Sequence, residues 1–231
     1  MESPVPMESM IQSVSDYLNL YSRSKADSEA TEKILSAMKA IDRKYFIDPE
    51  SAYIDDAMPI AQGQTISQPS TVGMMLFLAD LKSGDDVLEI GLGSGWSACL
   101  AAYLSYPGKV ISVDIINELV RMAQKNVTDL SKSLPEGDKK RLNYQSFRQI
   151  NVFKEKGWLK GMMFDRIIIT AGIDGRQHPI IDQFALEYLA NGGILVVPHI
   201  SGPMMIIRKT DGMLTKAYSE DSFAFVPLIT D

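Results

Sequence analysis

The stretch Asp86-Val87-Leu88-Glu89-Ile90-Gly91-Leu92-Gly93-Ser94-Gly95-Trp96-Ser97 decides how the rest of the chain is read. A short apolar run carrying one acid, Glu89, breaks into three glycines at alternate positions. A helical pattern follows, Ala98-Cys99-Leu100-Ala101-Ala102-Tyr103-Leu104. Strand, glycine turn and helix in that order make the first unit of a doubly wound α/β sheet. Glycine lets the backbone turn sharply and approach a ligand with no Cβ in the way. The spacing is G-x-G-x-G, one residue tighter than the dinucleotide fingerprint G-x-G-x-x-G.

A second acid narrows the ligand class. The run Lys109-Val110-Ile111-Ser112-Val113 reads as the next strand and ends at Asp114. Folds of this kind place a carboxylate for ribose hydroxyls about twenty residues past the glycines. The combination E-x-G-x-G-x-G plus an acid ending the following strand resembles the S-adenosylmethionine site of class I methyltransferases. The competing reading is a tight β-α turn with no ligand. Against it, each glycine weakens a helix start by up to ~1 kcal/mol.

Composition sets the outer limits. The chain has 231 residues, enough for one large domain or one domain with an extension. Hydrophobic content of 45% and charged content of 23% are ordinary for a globular protein. A net charge of -6 argues against broad nucleic-acid binding. One cysteine excludes an internal disulfide and suits a reducing compartment, so a cytoplasmic protein is expected. Met1 to Pro6 shows no basic or apolar leader pattern, and no apolar run is long enough for a membrane span.

In chain order, residues 1–10 read as loose. Helical patterns run from Ile11 to Tyr21 and from Ser28 to Ile41, and Ile47 to Pro59 reads as extended loop. Pro69 suits the first turn of a helix reaching Leu78-Ala79, with Ser67 as its expected N-cap. The start of that helix could hold an anion, or Ser67 could be a cap and nothing more. Beyond Asp114 the pattern predicts a helix over Asn117–Leu130, a polar loop over Ser131–Lys140 and a third strand over Arg141–Ser146. Phe147–Met163 has no clear pattern. Phe164–Thr170 reads as the fourth strand, and Pro179 opens a helix to Leu189. Asn191-Gly192-Gly193 is expected to cap that helix ahead of a fifth strand, Ile194–Pro198. Two strands, Met204–Lys209 and Phe223–Leu228, close the chain, with Asp211-Gly212 as a turn between them.

Several segments occurring in order carry a family resemblance: Ala52-Tyr53-Ile54-Asp55, Gly63-Gln64-Thr65-Ile66-Ser67-Gln68-Pro69, Val87 through Gly95, Phe164-Asp165 with Thr170-Ala171, Asn191-Gly192-Gly193, and Phe225-Val226-Pro227-Leu228. From about residue 36 onward the chain resembles the protein-L-isoaspartate O-methyltransferases. T-I-S-Q-P is the specific segment, since many methyltransferases share the glycine motif. The resemblance implies a Rossmann-like α/β fold, a doubly wound sheet of about seven strands with helices on both faces. Residues 1–66 would form an N-terminal helical extension with an acceptor-site segment, and residues 67–231 the S-adenosylmethionine-binding domain. It also implies methyl transfer from S-adenosylmethionine to the free carboxylate of L-isoaspartyl residues, a repair activity on damaged proteins and peptides. No nucleic-acid or membrane partner and a monomeric state are expected.

Carried over position by position, the resemblance makes Ser67 the active-site serine. Thr65, Ile66, Glu89, Gly91, Gly93, Ser94, Gly95, Asp114 and Ile115 become cofactor-binding candidates. Ala52, Tyr53, Val226, Pro227 and Leu228 become candidates for holding the peptide. Three places depart from the family. Its Gly-Asp-Gly after the third strand, whose Asp contacts adenine, is replaced by Ser146–Val152 with no acid. An amide from Gln149 or Asn151, or a backbone carbonyl, is the expected substitute. The loop Thr170–Pro179 is longer and more polar, and Ser70 follows Pro69 where an aromatic or histidine is common. These changes leave open a different carboxylate or amine acceptor, or a module that binds the cofactor without catalysis. No metal spacing is present among the two histidines and one cysteine. Cys99 reads as a core residue, and His178 as a loop residue or one facing the site.

Overall fold

A computed structural model describes residues 5–231 of the chain. Its helices are α1 (Met7–Asn19), α2 (Lys25–Ala40), α3 (Pro69–Ala79), α4 (Trp96–Ser105), α5 (Asn117–Ser131), α6 (Glu136–Leu142) and α7 (His178–Tyr188). Its strands are β1 (Met58–Pro59), β2 (Thr65–Ile66), β3 (Val87–Ile90), β4 (Val110–Asp114), β5 (Gln145–Gln149), β6 (Phe164–Ile169), β7 (Leu189–Pro198), β8 (Ser201–Thr210) and β9 (Met213–Ala224). Seven of the strands form one sheet in the order β5-β4-β3-β6-β7-β8-β9. The ladders from β5 to β7 are parallel, and β8 and β9 run antiparallel. The order reverses between β3 and β6. Ligands bind at such a switch point, outside the carboxyl ends of the strands.

Side chains in the central strands alternate between two apolar layers, as a sheet covered on both faces requires. Ile168, Val196 and Ile206 join the layer of α1 to α4, while Ile167, Ile169, Leu195, Val197 and Ile207 join that of α7. Met10, Val14 and Leu18 of α1 and Ile34 and Met38 of α2 lie in the same cluster as Val72 and Met75 of α3. Gly73 permits the close approach, since a Cβ there would lie 2.9 Å from Val14. Among the described residues no helix is long and apolar enough to cross a membrane.

Several boundaries differ from expectation. Residues 1–4 lie outside the described residues, but Met7–Met10 are helical, and Met10 is buried. Ser24, whose hydroxyl accepts the Asp27 amide at 3.2 Å, starts α2 four residues before Ser28. The expected extended loop Ile47–Pro59 is a run of turns ending in β1, which pairs antiparallel with β2. The polar loop after α5 contains α6, anchored by buried Leu142, so β5 begins at Gln145 rather than Arg141. Asn191-Gly192-Gly193 caps no helix. Phe164 pairs with Leu189 and Arg166 with Ile194, so residues 190–193 bulge out of a strand that has already begun. The chain turns at Asp211 and Gly212 with φ of 51° and 77°, the two positive values of a tight hairpin. The last strand ends at Ala224, not Leu228. Residues 226–228 leave the sheet to lie along the loop after β6, where Gly172 pairs with Pro227.

Candidate active site

The glycine loop sits at the carboxyl end of β3. Gly91 and Leu92 donate to the Val113 carbonyl at 2.9 and 3.1 Å, which ties the loop to β4. Gly91 has φ +101°, and a Cβ there would lie 2.2 Å from Oγ1 of Thr170. Gly95 has φ +90° at the start of α4, where a Cβ would come within 2.9 Å of Ala123. At Gly93 the space beside the backbone is open apart from Ile60 at 3.8 Å. An approaching group would therefore meet bare peptide.

Asp114 closes the other side. Its carboxylate is only 8% exposed and accepts the amides of Gly93 at 3.1 Å and Ile116 at 3.0 Å. Burial raises its pKa, and those amide bonds oppose the rise. Each oxygen keeps a second lone pair, and together they form the pair of acceptors that a vicinal diol needs. Beyond it lies a largely apolar slot of Ile115, Ile150, Val152 and Phe153, with Asn151 beside them. The Asn151 side-chain oxygen Oδ1 accepts the Phe153 backbone amide at 3.1 Å, and the Gln149 side-chain Nε2 donates to the Ile115 carbonyl at 3.4 Å. Only Asn151 of these two amides lines the slot.

The cleft continues past the glycines into a second arm. Thr65, Gly91, Gly93 and Thr170 line both arms, while Ile66, Ser67, Met75, Ser94 and Trp96 line the second. Val226, Pro227 and Leu228 wall the first arm. They are held by a pair of 2.7 Å bonds, Gly172 N–H to the Val226 carbonyl and Leu228 N–H to the Gly172 carbonyl. Pro227, which has no N–H, falls between the two bonding positions.

Other expected positions fall elsewhere. Glu89 is 1% exposed and does not line the cleft. It points under α4, where the Ser97 hydroxyl donates to it. Burial pushes its carboxyl up to about 7. Ser112 stands opposite in the ladder and helps hold the charge, although no hydrogen bond of ordinary geometry joins the two. Ala52 is fully buried, and Tyr53 donates to Asp42 at 2.7 Å; neither lines the cleft.

Ser67 is not the N-cap of α3. With Pro69 at the first helical position, the cap falls on Gln68. The amide and hydroxyl of Ser70 are instead bonded by the Asp55 carboxylate at 2.8 and 2.5 Å. The anion held by this helix start is the chain's own Asp55. The Ser67 hydroxyl makes no hydrogen bond among the described residues and faces the second arm.

Arg43 and Asp55, both silent in the sequence, organise this corner. Their role depends on contacts across nine to twenty-four residues, and no local spacing signals it. Cys99 is buried with its pKa raised by desolvation, a core residue. His178 does not line the cleft and sits 3.0 Å from His199, nitrogen to nitrogen. Among the described residues no group of three or more His, Cys, Asp or Glu is arranged to hold a metal.

The family model for protein-L-isoaspartate(D-aspartate) O-methyltransferase matches residues 18–231. The chain belongs to that family. Relatives named protein-L-isoaspartate O-methyltransferase include those of Pyrococcus horikoshii and Thermococcus onnurineus. They are 34% and 35% identical, each match covering 86% of both proteins. Among solved structures, a Plasmodium falciparum protein given the same activity, in complex with S-adenosyl-L-homocysteine, superposes with a TM-score of 0.77. It covers the whole of both chains at 21% identity and supports the fold. The protein-L-isoaspartate O-methyltransferases use S-adenosylmethionine, and the arm at Asp114 offers carboxylate acceptors beside an apolar slot.

Proposed function

We propose that this family member methylates the free carboxylate of L-isoaspartyl residues in damaged proteins and peptides, using S-adenosylmethionine. The carrying observation is one bent cleft that runs from Asp114 past the glycine loop to the unbonded hydroxyl of Ser67. When bound, the sulfonium supplies an activated methyl group, which the acceptor carboxylate takes as the carbon–sulfur bond breaks onto sulfur. No proton moves in that step, so the site needs no general base. This agrees with a second arm lined by Thr65, Ser67 and Ser94 and by no histidine or acid. A carboxylic acid with pKa near ~4 is already ionised at neutral pH.

What remains for the chain is placement, a contribution that reaches ~7–11 kcal/mol for well-aligned reactants. Asp114 and Ile115 hold the ribose end, Asn151 lies beside the adenine slot, and Thr65, Ile66, Gly91, Gly93 and Ser94 hold the middle. Ser67 donates to one acceptor oxygen. Val226 to Leu228 form the wall along which the peptide runs. The reading includes a monomer working in the cytoplasm, with no nucleic-acid or membrane partner.

A second reading, a different carboxylate or amine acceptor, draws on the polar loop between β6 and α7. There Gln177 ties the loop to the Leu228 carbonyl at 3.0 Å, and Asp174 pairs with exposed Arg176 at 2.7 Å. The test is transfer of a labelled methyl group to a peptide carrying isoaspartate, beside its normal-aspartate twin. Transfer to the first alone supports the proposal. Transfer to neither hands the site to the second reading.

A further inference from the structure

Among the described residues Arg43 is the most deeply buried cation, at 0% exposure. It lies in the single helical turn after α2, and no carboxylate pairs with it within 4 Å among the described residues. Its two terminal nitrogens are spent on backbone carbonyls, while the buried Nε has no partner among the described residues. Nη1 donates to Ala52 at 2.8 Å and Ile54 at 3.4 Å; Nη2 donates to Asp56 at 3.4 Å and Ser67 at 3.1 Å. The guanidinium also lies 5.3 Å from the ring centre of Trp96. That indole donates to the Ile41 carbonyl at 2.9 Å and lines the same arm of the cleft as Ser67. Burial lowers the Arg43 pKa to about 10, opposed by the charge of Asp55, so the side chain stays charged at neutral pH.

A buried charge with no counter-ion within bonding range is costly, and it is kept where its hydrogen bonds fix something. Three of the four carbonyls belong to one short run, 52–56, and local turns could hold that run by themselves. The fourth lies twenty-four residues from Arg43, on Ser67. Asp55 sits inside the same run and grips Ser70 by amide and hydroxyl. The segment Ser67-Gln68-Pro69-Ser70 is therefore clamped at both ends, by Arg43 on one carbonyl and by Asp55 on one amide. Ser67 itself lies outside the helix and has no side-chain bond to hold it.

We infer that Arg43 is the positioning residue for Ser67, fixing where its hydroxyl meets the acceptor carboxylate. This rests on the function proposed above. Lysine keeps the charge but offers a point donor rather than a planar fork, so Arg43→Lys cannot hold four carbonyls at once.

The experiment uses the full chain with four proteins: parent, Arg43→Lys, Ser67→Ala and the double variant. Arg43→Lys should lower kcat/KM for an isoaspartyl peptide tenfold or more, with S-adenosylhomocysteine affinity unchanged within about twofold. In the Ser67→Ala background the same change should cost less than about twofold, because its effect passes through Ser67. Amide hydrogen exchange should quicken across Thr65–Val72 and stay unchanged over Gly91–Gly95. Multiplicative losses in the double variant, or equal weakening of cofactor binding, would overturn the assignment and leave Arg43 a general scaffold residue.

If Arg43→Lys does not fold, Asp55→Asn loosens the other end of the clamp. The same non-additivity with Ser67→Ala is then required. A parent inactive on the isoaspartyl peptide would refute the proposed acceptor. The exchange data would still decide whether Arg43 holds the Ser67 segment.

Discussion

Replacing Glu89 with glutamine should make the protein more stable at alkaline pH and leave it nearly unchanged in mild acid. The carboxyl is sealed beneath α4, with its second oxygen unbonded. Burial is the largest cause of its raised pKa and the Asp114 charge adds to it, while Ser97 and Ser112 pull the other way. The ordinary value of 4.5 rises to about 7 in the fold. Between those two values the folded chain binds the proton more tightly than the unfolded chain, so stability falls as pH rises through that window. Below about 4.5 the acid costs nothing, and above about 7 the full penalty applies. At 1.36 kcal/mol per pKa unit the penalty is about 3 kcal/mol. Glutamine matches the shape, still accepts from Ser97 and carries no charge. Urea unfolding of parent and variant at pH 5 and pH 8.5 reads the effect directly. The variant's advantage should grow by about 2–3 kcal/mol between the two conditions. An advantage that is the same at both, or that shrinks, would show that Glu89 is not a desolvated acid.

Other predictions concern the loop, the clamp and the histidine pair. Gly91→Ala puts a Cβ 2.2 Å from Thr170 Oγ1 at φ +101°, so calorimetry should find S-adenosylhomocysteine bound at least tenfold more weakly. Asp55→Ala removes the distant cap of α3 at a cost of about 1 kcal/mol, read as a lower melting temperature, while Ser67→Ala leaves melting unchanged and lowers methyl transfer. Burial, then His199 and Lys216, lower the His178 pKa against the pull of Asp182 and Asp174. The unfolded chain therefore takes up the proton first, and the parent should lose stability as pH drops below about 6.5. His178→Gln should show a smaller drop in melting temperature between pH 7.5 and pH 5.5.

The strand–glycine–helix unit and Asp114 were legible because their constraints are local. Three glycines and one acid at the end of a strand admit few backbones. Residues 226–228 line the cleft without belonging to the sheet, since their β-like residues suggest a strand that ends at Ala224. Helix α6 was hidden because Glu136, Gly137 and Asp138 look like loop, and Leu142 is its sole buried anchor. Gly192 and Gly193 read as a helix stop, but pairing with β6 overrides that local preference. Ser67 was misread as a cap by one position, since Pro69 at the first helical position puts the cap on Gln68. Arg43 and Asp55 act across turns that no periodicity reveals.

The two edges of the sheet bear on how such a protein meets its clients. The β5 edge reads Gln-Ser-Phe-Arg-Gln, and the twelve residues of β9 carry Lys216 and Glu220 along a strand that is largely exposed. An unpaired edge invites another chain to add itself as a strand, and charges along it discourage that. Partly unfolded polypeptides offer loose extended segments. Such segments would nucleate aggregates on an apolar edge. With Arg148, Lys216 and Glu220 set along its edges, this sheet is poorly suited to recruit such segments as additional strands.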